Sequence, residues 1–131
     1  MKISYAPLFA GVLTIQAAAA ETVTYNCMMT KQDGHGWIAP EYAFQIDSAS
    51  GASEAASSYH DWAEAKLKDR GAKGYRILWN ITAPLLDGTK QRVKYQANLN
   101  AQNDTVKVRM SWANANYTNK PFGVGTCSKV Q

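Results

Sequence analysis

The chain has few of the residues from which small catalytic or metal centres are built: two cysteines and two histidines in 131 residues, with no CxxC pair. That supply suits neither a zinc site nor a dithiol redox centre. No phosphate-cradling glycine loop, paired-carboxylate motif or nucleophile elbow occurs. Charged residues make up only 18% of the chain and hydrophobic ones 46%, which excludes a disordered acidic or basic tail. Past the first twenty residues no run is long and apolar enough to span a membrane, and no heptad, collagen or solenoid period appears. What these absences leave is one small globular domain with neither cofactor nor metal.

The beginning of the chain supplies an address. Met1 and Lys2 give a positive start, Ile3 to Ile15 a mostly apolar stretch, and Ala17 to Ala20 the small residues a signal peptidase reads. Residues 1–20 are therefore expected to be a signal peptide, cleaved before Glu21, and residues 21–131 a single domain in the periplasm or outside the cell. Cys27 lies too far past Ala20 to accept a lipoprotein anchor. The mature chain is expected to be a monomer without a transmembrane segment. In that compartment two cysteines imply one disulfide, Cys27 to Cys127, joining the two ends of the domain.

Alternation of apolar and polar side chains dominates the pattern. Val23, Tyr25, Cys27 and Met29 form one such set, and Tyr42, Phe44 and Ile46 a second. Three further sets are Ile77 to Ala83, Val93 to Leu99 and Val106 to Trp112, with turn residues at Asp87-Gly88 and Gln102-Asn103-Asp104. Pairing Leu86 with Lys90 sets Trp79 opposite Ala97, and pairing Asn100 with Thr105 sets Tyr95 opposite Met110. Both keep the apolar sets on one face of an antiparallel meander. A last strand spans Phe122 to Val130. Residues 55–69 read differently: Tyr59, Trp62, Ala63 and Leu67 fall near helical spacing, Ser58 with Asp61 resembles a capping box, and Gly71 suits a helix end. The expected fold is mainly β, a small antiparallel barrel or sandwich of about six strands, with one amphipathic helix covering an opening.

Charge is divided along the chain. Residues 21–69 carry eight acids and three bases, residues 70–131 ten bases and two acids. The outward set of the meander gathers Arg76, Arg92, Lys94, Lys107 and Arg109 without an interspersed acid, and Gln96 and Asn98 extend the polar field. Like charges on adjacent strands repel, so a face built this way points to an anionic polymer or an acidic partner protein of the cell envelope. It also serves an exposed sheet simply by discouraging aggregation. Nucleic acid is an unsuitable partner, because the aromatics face inward and the chain is exported. No catalytic residue is assigned. Ser58, His60 and Asp61 are triad residue types, but a helix would point them in different directions. An enzyme using the Gly34–Trp37 loop with His35 is one alternative. A small barrel carrying an apolar ligand between Tyr25, Trp79, Tyr95 and Trp112 is the other.

Tyr25-x-Cys27, Gly36-Trp37-Ile38, and Tyr117-x-Asn119 followed by Gly123-x-Gly125-x-Cys127 resemble small exported β-proteins of alphaproteobacteria. These landmarks span most of the mature chain and imply no activity. The Tyr-x-Cys start and terminal cysteine also resemble the membrane-bound lysozyme inhibitors. That likeness implies a disulfide-closed β-barrel of the bacterial envelope and transfers no site residue to this chain.

Overall fold

The structure, a computed structural model, describes residues 22–34, 36–112 and 120–130; the expected signal peptide lies outside them. Eight strands follow in order: β1 (Thr22–Gln32), β2 (Glu41–Asp47), β3 (Ala52–Ser57), β4 (His60–Asp69), β5 (Gly74–Pro84), β6 (Lys90–Asn100), β7 (Thr105–Trp112) and β8 (Phe122–Val130). Each pairs antiparallel with its sequence neighbour, and β8 pairs with β1, so the sheet closes into a barrel. The fold is thus mainly β, as the alternation predicts, but with eight strands rather than about six. No α-helix occurs among the described residues.

The helix expected over residues 55–69 is instead β3 continuing into β4. Ala63, Ala65 and Leu67 turn inward, while Glu64, Lys66 and Lys68 are exposed, which is a period of two. Alanine is the best helix former, and its weak hydrophobicity hides the alternation. The tertiary context decides. The inward positions of β3 and β4 are small because Phe44 and Trp79, on the strands flanking them, fill the space in front. Trp79 meets Phe44 at 5.6 Å and Tyr95 at 5.4 Å between ring centroids. Small barrels commonly match small to large residues in this way.

Registers agree with expectation on one side of β6 and not on the other. Asn100 pairs with Thr105 and Tyr95 with Met110, as predicted. Between β5 and β6, Pro84 rather than Leu86 pairs with Lys90, so Trp79 faces Tyr95. Leu86 belongs to the turn and is fully exposed. The Asp87 carboxylate accepts from the backbone and hydroxyl of Thr89 at 3.0 and 2.6 Å, which holds it below the usual carboxylate range. A two-residue slip preserves facing, so the core composition is unchanged.

One opening is closed by the segment between β1 and β2 rather than by a helix. Ile38 and Ala39 are fully buried. Tyr95 donates its hydroxyl proton to the Trp37 carbonyl at 2.8 Å, the Ala39 amide donates to the Tyr42 hydroxyl at 2.9 Å, and Gln32 donates to the Ile38 carbonyl at 2.6 Å. Trp37 meets Trp112 edge-on at 4.7 Å. Room for this plug comes from inward-facing glycines on β8. A Cβ at Gly123 would stand 2.8 Å from Ile38, and one at Gly125 would collide with the Met28 carbonyl, beside the register shift between Met29 and Lys31.

Cys27 and Cys127 face each other directly across β1 and β8 and form a disulfide with Cα atoms 4.0 Å apart. The barrel wall is polar outside and apolar inside. That is the reverse of a barrel crossing an outer membrane, whose lipid-facing band is apolar. Among the described residues no helix is long and apolar enough to cross a membrane.

Two stability tests follow from this closure. Replacing both cysteines by alanine removes a constraint on a loop of 100 residues, and is expected to cost about 2–5 kcal/mol. Urea unfolding measures this, and an unchanged midpoint would show that the sheet closes without the bridge. Gly125→Val forces a branched side chain against the β1 backbone and is expected to cost about 1–3 kcal/mol. A neutral result in the same assay would mean that β1 can recede at no cost.

Candidate anion-binding face

Residues β5 to β8 contribute Arg76, Lys90, Arg92, Lys94, Lys107, Arg109 and Lys129, and not one acid. Strand alternation directs Arg76, Arg92, Lys94, Lys107 and Arg109 to the outer wall: Arg92, Lys94 and Arg109 are exposed, Arg76 and Lys107 half-buried. The pairing spaces these charges. Arg109 stands opposite Gln96, Lys107 opposite Asn98, Lys94 between Asn80 and Ser111, and Arg92 opposite Thr82. Each base thus faces a neutral polar residue, which avoids the direct like-charge pairing that destabilises sheets. Lys68 opposite Arg76 is the exception. Arg76 is held across the strand by a hydrogen bond from Nε to Asn98 Oδ1 at 3.0 Å.

The right-handed strand twist makes the outer wall a saddle, and two grooves lie in it. The first, about 1090 Å³, gathers Lys66, Lys94, Lys107, Arg109 and Lys120 around the exposed Leu78 and Phe122, with Glu64 its one acid. The Lys107 ammonium lies 5.1 Å from the centre of the Phe122 ring. Lys66 and Lys120 are absent from the set the sequence suggests. Lys66 sits in the segment with helical spacing, and Lys120 precedes the last strand without a pattern of its own. The alternation of Ala63, Ala65 and Leu67 with charged residues is the signal that places Lys66.

Other sequence candidates take structural roles. His35 lies outside the described residues. Its neighbours Trp37 to Ala39 form the plug of the barrel, not an open cleft. His60 sits on β4, not on a helix. Its Nδ1 is 2.7 Å from the Asp61 carbonyl, and its Nε2 accepts from Trp79 Nε1 at 3.2 Å. The Asp61 carboxylate accepts from the Trp62 amide and the Ser58 hydroxyl donates to the Glu41 carbonyl, so these residues form no nucleophile–base–acid line. Tyr25, Trp79 and Tyr95 are buried in the core and Trp112 packs against its edge. Among the described residues no group of three or more His, Cys, Asp or Glu stands together to hold a metal.

No known protein family, curated protein or solved structure matches this chain.

The core tyrosines give a test in alkaline solution. Burial pushes Tyr95 up to about 12, and burial also raises Tyr42 despite the hydrogen bond its oxygen accepts from Ala39, which acts the other way. In the unfolded chain these phenols ionise near the ordinary value of 10.0. The unfolded state then gains by losing protons that the folded state keeps. Stability is therefore whole below about pH 10 and is lost as pH rises toward about 12. Phenolate absorbance of the folded protein should show both tyrosines still protonated above pH 10. Ionisation of both near the ordinary value of 10.0 in the folded protein would contradict the packing described.

Proposed function

We propose that this chain is a non-enzymatic protein of the cell envelope that binds an anionic polymer or acidic partner protein through Arg76, Arg92, Lys94, Lys107 and Arg109. The observation that carries the reading is the concentration of bases on the outer wall of four adjacent strands without an acid among them. A wall that only needs to remain hydrated is better served by mixed signs, which cancel self-repulsion. Export supports the reading. A signal-like beginning and a disulfide between the terminal strands suit an oxidising compartment such as the periplasm or the exterior. The likeness to membrane-bound lysozyme inhibitors stays at the level of a disulfide-closed barrel, and no inhibitory residue is proposed from it.

The test is retention on immobilised heparin and on lipopolysaccharide at increasing salt. Binding by exposed charges is expected to weaken steeply with salt, because such charges are screened over about 8 Å at physiological ionic strength. Lys94→Gln with Arg109→Gln is expected to elute earlier from both supports and to flatten the salt dependence by about two released counterions. Folding should be preserved to within about 0.5 kcal/mol per site, since both side chains are exposed. Retention equal to the parent's would reduce this wall to a solvated surface.

A further inference from the structure

Below the first groove, toward the opposite end of the barrel, lies a second of about 670 Å³, lined by Arg70, Lys73 and Lys107 with Asn100, Thr105 and Thr126, and with no acid in its lining. Lys107 lines both grooves, and no other residue does. On β6 the two are consecutive: Lys94 and Gln96 line the first, Asn98 and Asn100 the second. From Lys94 to Asn100 this outer face runs about 20 Å at the rise of an antiparallel strand.

Resting on the reading that the basic wall binds anions, we infer that its ligand is a linear acidic polysaccharide, extended along β6 and β7 through both grooves and crossing at Lys107. A compact anion would meet the charges of one groove and leave those of the other unpaired. A chain-like ligand meets Lys94 and Arg109 first, Lys107 at the crossing, and Arg70 and Lys73 beyond it. Between these charges the lining offers the amides of Gln96, Asn98 and Asn100 and the hydroxyls of Thr105 and Thr126, donors and acceptors suited to sugar hydroxyls. Single-stranded nucleic acid would require aromatic faces on which bases stack. Trp79 and Tyr95 are turned into the core, and the Phe122 ring already carries the Lys107 ammonium. An acidic protein would want an apolar centre to its footprint. Leu78 and Phe122 supply one in the first groove only.

Heparin oligosaccharides of graded length, titrated calorimetrically into the folded protein, test this. Affinity is expected to climb with length until the chain spans about 20 Å and then to level, with one oligosaccharide bound per barrel. Arg70→Gln with Lys73→Gln, both exposed and checked by circular dichroism for an intact fold, is expected to weaken the long chain about tenfold. The same variant should leave a disaccharide, too short to reach from the first groove into the second, almost unaffected. Equal affinity of parent and variant for the long chain, with the Lys94→Gln, Arg109→Gln variant still impaired, would overturn the two-groove path and leave the anion-binding reading intact. No effect from either variant would overturn both. Tighter binding of single-stranded DNA or of an acidic polypeptide of equal charge would overturn the assignment to a polysaccharide.

Discussion

Between Thr24–Gln32 and Gly123–Val130 the two ends of the chain exchange the hydrogen bonds that turn an eight-stranded sheet into a ring. Without that pairing β1 and β8 are edges, with unpaired amides and carbonyls open to aggregation. With it, every strand has two neighbours and the apolar faces enclose a core. The requirements of this seam explain otherwise unrelated residues. Gly125 lets the β1 backbone approach, Gly123 leaves room for Ile38, and Cys27 meets Cys127 where the strands are in register. The plug then depends on the seam, because Ile38 reaches the core across Gly123, where β8 presents no side chain.

Much of this was legible in the alternation. Tyr25, Phe44, Ile77, Tyr95 and Val108 all sit inside, as their period-two spacing predicts. The Asn100–Thr105 register was readable because a short polar turn leaves little choice: the Asn100 side chain accepts from the Gln102 amide at 2.9 Å, and Asp104 takes a positive φ of 55°. Two features escaped for physical reasons. Alanines at 55, 63 and 65 carry too little hydrophobicity to mark a face, and their helix propensity pulls the other way. Leu85 and Leu86 extend an apolar run past the true end of β5, so the local turn signals, Pro84 on one side and Asp87-Gly88 on the other, leave open which of them ends the strand. The basic set on β5 to β7 was visible because its alternation is strong. Its extension to Lys66, Lys120, Arg70 and Lys73 was not, because Lys66 sits in the segment with helical spacing and the other three lie outside the alternating strands.

The division of charge along the chain becomes a division in space. In the ring, β2 and β3 lie across the barrel from β6 and β7. Glu41, Asp47 and Glu54 stand on one side, and Arg92, Lys94, Lys107 and Arg109 on the other. A barrel so divided has a strong transverse dipole despite a modest net charge of +4 for the full chain. Approaching an anionic surface, it is turned by the field before contact, so the basic wall arrives first.

The covalent bond at the seam makes the chain a circuit. Starting at Cys27, one can follow the backbone through every strand to Cys127 and return through sulfur to the start. In such a loop the order of the strands has no privileged first member. A single protease cut at an exposed turn, such as that around Leu86, leaves no free fragment. The pieces stay tethered through the disulfide and through unbroken ladders on both flanks. By the same topology, new ends opened at that turn, with the old ones joined by a short linker, describe the same barrel. The exposed turns are therefore places where this molecule can be nicked, lengthened or re-started while its wall and its basic face persist.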